Sequence, residues 1–281
     1  MMSTQNRSGI ITLLTDFGAG SPYVAEMKAA ILTTTSQATI VDLTHSIAPQ
    51  NIREAAWILA RTVRSFPVGT IHVAVVDPGV GSDRKIVAVE CGGQIFIAPD
   101  NGLLAVVAAD AAFDVNSSDP MIHQVTNADY FRDAISSTFH GRDIMAPVAA
   151  YLLAGKNLAS CGPKLDRLAD VAWNLVPRLI DESTISGEVA YVDSFGNLIT
   201  NVKHTDLPEC WEFSKVNVEL QNVKIEGIVP TYSSSVPGSV IAIIGSSGLL
   251  EISVVNGNCA KQLQCGAGQG VVLKCDSLYK S

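Results

Sequence analysis

The chain has 281 residues, 47% hydrophobic and 16% charged, with 19 Lys and Arg against 27 Asp and Glu for a formal charge of −8. So much apolar material excludes a disordered chain, and the length points to two domains. The acidic balance, with Lys and Arg nowhere clustered, argues against nucleic acid or an anionic membrane as partner.

The opening residues, MMSTQNRSGIITLL, carry one arginine and no long apolar run, so no secretory signal is expected and the setting reads as cytoplasmic. Ile10–Thr15 then reads as a strand, Ser21–Thr33 as a helix and Thr39–Leu43 as a second strand. Ile52–Arg64 follows as a helix with Ala55, Ala56, Leu59 and Val63 on one face. Thr70–Asp77, Lys85–Glu90 and Gln94–Ala98 are short and β-rich; Asn101–Ala109 and Ile144–Ala154 look helical. The charge-free stretch Ile144–Gly155 has 12 residues and a proline, short of the roughly 18 that begin to span a bilayer, so no transmembrane helix is expected. Strands alternating with helices, the strands almost continuously apolar, predict an α/β domain with a parallel sheet covered on both faces, over residues 1–173.

After Trp173 the texture changes. Glu188–Asp193, Leu198–Val202, Lys215–Leu220, Val240–Ile244, Leu249–Val255 and Gly270–Cys275 are strand-like and separated by Gly, Ser, Asn and Pro clusters. This predicts a C-terminal β-barrel or sandwich domain over 187–281, with Asn174–Ser186 and its Pro177 as linker. The six cysteines show no CxxC and no ligand spacing, so neither a metal nor a disulfide framework is expected.

In open parallel sheets ligands bind beyond the carboxyl ends of the strands. The loops there are Asp16-Phe17-Gly18, Asp77-Pro78-Gly79-Val80-Gly81 and Pro99-Asp100-Asn101-Gly102, and Phe139-His140-Gly141-Arg142-Asp143 precedes a helix. Carboxylates, a histidine and an arginine in several such loops suggest one polar site. Each piece also has a plainer reading: Asp16 as a helix cap, Asp77-Pro78-Gly79 and Asn101-Gly102 as turns, and His140 as structural. His72, inside a strand, reads as core. Gly79-Val80-Gly81 lacks the later Gly or Lys of a phosphate loop, and Gly245-Ser246-Ser247-Gly248 is not a nucleophile elbow.

Taken in order, TDFG at Thr15–Gly18, SPYVAEMKAAI at Ser21–Ile31, VDLTHSI at Val41–Ile47, VDPGVGSDR at Val76–Arg84, APDNGLL at Ala98–Leu104, FHGRDIMAPVAAYL at Phe139–Leu152, DSFGNLITN at Asp193–Asn201 and GSSGLLEISVVNGNCA at Gly245–Ala260 say more. The chain closely resembles the adenosine-forming S-adenosylmethionine hydrolases, or S-adenosylmethionine hydroxide adenosyltransferases, relatives of the fluorinase and chlorinase. The resemblance implies an α/β domain followed by a β-barrel, no cofactor, and a homotrimer with its sites at subunit interfaces. It implies that water displaces methionine from C5′ of S-adenosyl-L-methionine, leaving adenosine. The family's Asp–Arg–His set falls on Asp77, Arg84 and His140, and the halogenating relatives have tyrosine where Asp77 stands. By the same resemblance Asp16 takes the ribose diol, Asp193 and Ser246 the methionine end, and Phe195, Asn197 and Tyr232 surround adenine, whose edge meets backbone near Asn256. Asn101, Ser247 and Glu251 complete the implied substrate contacts. Two departures stand out: Gln50 replaces the halogenases' ribose-side tryptophan, and Gly141 replaces the fluorinase's halide-binding serine. With an arginine beside it, Asp77 is expected to position the water rather than abstract its proton, with Arg84 and His140 stabilising developing hydroxide. The alternatives are a halide-dependent relative and a nucleoside-binding trimer without turnover.

Overall fold

The computed structural model describes residues 7–109 and 119–275. The chain divides into two compact units, with the boundary between Val171 and Ala172. In the first unit the elements are β1 Ile10–Thr15, α1 Pro22–Thr34, β2 Thr39–Thr44, α2 Ile52–Val63, β3 Ile71–Val75, β4 Ile86–Cys91, β5 Gln94–Pro99, α3 Ala105–Ala109, β6 Met121–Gln124, α4 Ala146–Leu153 and β7 Lys164–Leu165. One sheet runs β2-β1-β3-β5-β4-β6-β7.

The four strands β2, β1, β3 and β5 are parallel, as the alternation predicts; β4, β6 and β7 extend the sheet in antiparallel fashion. The reversal happens at Gly92-Gly93, both with positive φ, a two-residue connection of the kind that closes antiparallel hairpins. α1 starts at Ser21, whose hydroxyl accepts the Tyr23 N–H, with Pro22 opening the first turn. Asp16 is therefore not its cap. Asn51 caps α2 through the Glu54 N–H, and Ala55, Ala56, Leu59 and Val63 are buried along one face. Asn101 and Gly102, which read both as the opening of a helix and as a turn, lie in a turn ahead of the short α3. Met27 and Ile31 of α1, with Met145, Val148 and Leu152 at and within α4, are fully buried against Ile11, Leu13, Ile71 and Val73 of the sheet. Each such side chain contributes about 1.5–3 kcal/mol.

His72 is fully buried in β3, between the Thr12 hydroxyl (2.7 Å) and Gln94 Oε1 (3.0 Å), and stacked on Phe96. Gln94 in turn donates to the carbonyl of Phe66 at 2.8 Å, so the polar core network pins the α2–β3 loop.

The second unit contains β8 Arg178–Asp181, β9 Thr184–Val192, β10 Leu198–Lys203, β11 Val216–Leu220, β12 Val223–Glu226, β13 Val240–Ile244, β14 Leu249–Val254, α5 Cys259–Leu263 and β15 Gly270–Cys275. Its antiparallel order is β12-β11-β15-β9-β10-β14-β13, with β8 also on β9. Just past β12, Ile228 bridges Ala242 of β13, and the Val229 N–H donates to Ala242 O at 2.8 Å, so the sheet nearly closes into a barrel. The stretch read as a linker holds β8, whose pairing with β9 makes it part of this unit. Among the described residues no helix is long and apolar enough to cross a membrane.

Candidate active site

In the first unit the polar residues follow strand ends. β1 leads directly into Asp16, β3 into Val76-Asp77, and β5 into Asp100-Asn101. Asp77 and Arg84 bracket one tight turn. Arg84 Nε lies 2.9 Å from both Asp77 carboxylate oxygens and its Nη2 is 2.5 Å from Oδ2, a forked pair that fixes both side chains. Their side chains are 5% and 12% exposed, so solvent screens the pair little.

The same Nη2 lies 2.8 Å from His140 Nδ1. Guanidinium has only donors, so Nδ1 must accept and the ring proton sits on Nε2. Burial, and then the Arg84 charge, hold the His140 pKa below the ordinary value of 6.5, against the opposing pull of Asp77 and Asp143. Nε2–H has no protein partner among the described residues, so it is a donor available to an oxygen in the site. The two loops meet because residue 81 is glycine: with φ +81°, a Cβ there would lie 2.5 Å from the Ser137 carbonyl oxygen. His140 enters α4 through a π-helical turn, Gly141–Met145, a bulge type common at functional sites. Gly141 is buried, and a Cβ on it would stand 3.3 Å from Val75 Cγ1.

Asp16 accepts the Gln50 backbone N–H at 2.8 Å through Oδ2. Gln50 has φ +65°, so the bond rests on left-handed backbone at a non-glycine residue. Asn101 donates through Nδ2 to Val76 O (2.9 Å), beside Asp77, and accepts the Leu103 N–H (3.3 Å) through Oδ1, so its amide ties its own turn to the loop carrying Asp77. Phe17, Tyr23 and Phe139 meet edge to face with centroids 5.2–5.8 Å apart, joining the segment after Asp16 to the one before His140.

In the second unit Asp193 caps its own turn. Oδ1 accepts the N–H groups of Phe195 and Asn197, both at 2.9 Å, and Oδ2 takes the Asn197 side-chain amide at 3.0 Å. Asn197 is buried, whereas the Phe195 ring is 75% exposed. Glu251, buried in β14, accepts the Tyr232 hydroxyl at 2.5 Å and the Ser253 hydroxyl at 2.7 Å through one oxygen. Burial and the Glu251 hydrogen bond push the Tyr232 phenol up to about 12, and the charge of Asp193 adds to the shift. Ser246 and Ser247 occupy the β13–β14 turn, closed by Gly245 N–H to Leu249 O. Asn256 follows β14 with φ +55°. Sequence reasoning passed over Ser253, although Glu-x-Ser in a strand puts both side chains on one face. It also missed Gln50's backbone donor, which no side-chain pattern announces.

An α/β unit with an Asp–Arg–His cluster beyond its strand ends, followed by a small barrel presenting aromatic rings, defines a two-domain protein built for a polar small-molecule ligand. Family models for the SAM hydroxide adenosyltransferase N-terminal and C-terminal domains match residues 11–162 and 187–272. The chain belongs to the SAM hydroxide adenosyltransferase family. It is 34% identical over 264 residues to an "(R)-S-adenosyl-L-methionine hydrolase" of Salinispora arenicola, covering 92% of this chain and 95% of that one. A fluorinase of Nocardia brasiliensis is 26% identical, covering 98% and 99%. An uncharacterised conserved protein of Thermotoga maritima has the same fold, with TM-score 0.84, 34% identity and coverage of 94% and 99%.

Proposed function

We propose that the chain hydrolyses S-adenosyl-L-methionine to adenosine and L-methionine by in-line attack of water on C5′. The observation that carries the reading is the closed set of Asp77, Arg84 and His140. The leaving group is a neutral thioether and needs no acid; the difficulty lies with water, a weak nucleophile. Asp77, held by Arg84, accepts one water O–H, and His140 Nε2–H occupies a lone pair of the same oxygen. The remaining lone pair is then directed at C5′. As the C5′–O bond forms, the C5′–S electron pair returns to sulfur and methionine leaves uncharged. The new oxygen carries the spare proton, which the Asp77 carboxylate then accepts and passes to solvent.

Asp16 is read as the acceptor for the ribose diol, Phe195 and Tyr232 as the surfaces for adenine with Asn197 and Asn256, and Asp193 with Ser246 and Ser247 as the methionine end. Asn101 and Glu251 support these contacts from behind. The family resemblance further supports a homotrimer, and six cysteines spaced unlike a disulfide framework suit a cytoplasmic setting. A halide-dependent reaction is disfavoured by the carboxylate at Asp77, where the halogenating relatives have tyrosine.

The test offers the two sulfonium epimers of S-adenosyl-L-methionine separately, with and without chloride, because the Salinispora relative is named for the (R) form. Adenosine and methionine in equal amounts, indifferent to chloride, are expected. A 5′-chlorinated nucleoside would move the chain to the halogenating branch. Adenosine binding without turnover of either epimer would make it a nucleoside-binding protein. Light scattering of the purified protein checks the trimer.

A further inference from the structure

The residue just before Asp16 is fully buried and polar. Thr15 Oγ accepts the Phe17 N–H at 3.2 Å and lies 2.9 Å from His45 Nδ1. On the ring's other side, His45 Nε2 is 3.1 Å from Asp42 Oδ1, a close contact whose weight is electrostatic because the N–H is poorly aligned with it. Asp42 is in turn paired with Lys28 at 2.6 Å. A carboxylate facing Nε2 places the ring proton there, leaving Nδ1 to accept from the Thr15 hydroxyl. The hydrogen bonds then run one way, from Phe17 N–H to Thr15 and from the Thr15 hydroxyl to His45, with the Asp42 charge facing the far side of the ring. The His45 carbonyl also accepts the Gly18 N–H at 2.8 Å. His45 thus holds both shoulders of the three-residue turn that presents Asp16, while the Gln50 N–H holds the carboxylate itself.

We infer that Thr15 and His45, with Asp42 behind them, are positioning residues that set Asp16 for a vicinal diol. The inference rests on the ribose role proposed for Asp16. Thr15 is fully buried, with no surface to offer a ligand, so its effect passes through the turn. A group that aims one carboxylate should matter only to ligands carrying the hydroxyls that carboxylate receives. That separates it from a merely structural threonine.

The experiment compares adenosine with 2′,3′-dideoxyadenosine by calorimetric competition on the full chain, for the unmodified protein, Thr15→Val, Thr15→Ser and Asp42→Asn. Thr15→Val keeps the side-chain shape and removes the hydroxyl. It should weaken adenosine about tenfold, leave the dideoxy analogue within about twofold, and raise KM with kcat nearly unchanged. Thr15→Ser should restore the discrimination. Asp42→Asn, at the half-exposed outer end, should give the same selectivity with a smaller loss, and it carries the test should Thr15→Val not fold. Equal weakening of both nucleosides, or of neither, overturns the inference while leaving the hydrolase reading intact. Failure of the unmodified protein to bind adenosine overturns both.

Discussion

The two units present their polar groups in opposite ways. In the first, Asp77, Arg84 and His140 are joined to one another across two loops, and the chain of bonds ends in an unused Nε2–H. In the second, Asp193 spends both carboxylate oxygens on its own turn, and Glu251 gives one oxygen to Tyr232 and Ser253. What the barrel leaves outward is aromatic surface, Phe195 above all. On the proposed reading, the first region carries the chemistry and the second offers surfaces to the ligand. Variants of Asp77, Arg84 and His140 should therefore act on kcat, and variants in the second unit on KM.

The largest expected effect is at Asp77. Asp77→Asn leaves an amide that serves Arg84 poorly and cannot take the spare proton, and kcat should fall about 10³-fold with KM little changed. Steady-state kinetics on a variant of native circular dichroism checks this. Arg84→Lys keeps the charge and loses the fork that contacts Asp77 and His140 together, so about a 10²-fold loss in kcat is expected. Phe195→Ala should raise KM about tenfold with kcat within twofold, the worth of one base-stacking surface; a kcat loss instead would erase the contrast between the units.

Acid should separate two histidines of the first unit, one in the site and one in the core. Burial and Arg84 hold His140 unprotonated at neutral pH, so kcat/KM should stay flat from neutrality upward. It should fall only below about pH 6.5, the ordinary histidine value, because a protonated Nδ1 no longer accepts from Arg84. The smallest effect concerns stability alone. Burial lowers the His72 pKa to about 4. The unfolded chain therefore binds more protons between pH 6.5 and 4, and stability falls as pH drops through that window, by up to roughly 3 kcal/mol. Urea unfolding at pH 7 and pH 4.5 measures it, and His72→Gln should remove that part of the pH dependence.

Much of this was legible in the sequence for physical reasons. β1 and β3 are largely apolar, buried runs, and α2 shows its buried face through Ala55, Ala56, Leu59 and Val63. Strand direction was not legible for β4, because a fully covered strand is apolar throughout whichever way it runs. Gly92-Gly93 was the local signal available. β8 was hidden by Pro177 and by strand residues that are all exposed. In the site, the ordered motifs brought Asp77, Arg84 and His140 to attention, and the structure joins them. The Thr15–His45–Asp42 strut was not legible, since Thr15 ends β1, Asp42 lies in β2 and His45 just beyond it, and only the fold pairs them.

The most direct test of the central claim is a single-turnover reaction in water enriched in oxygen-18, with the unmodified protein and Asp77→Asn side by side. Adenosine two mass units heavier, methionine unlabelled, and product lost in Asp77→Asn are the predicted results. Unlabelled adenosine, or full turnover in Asp77→Asn, would contradict the positioning of water on C5′ by this site.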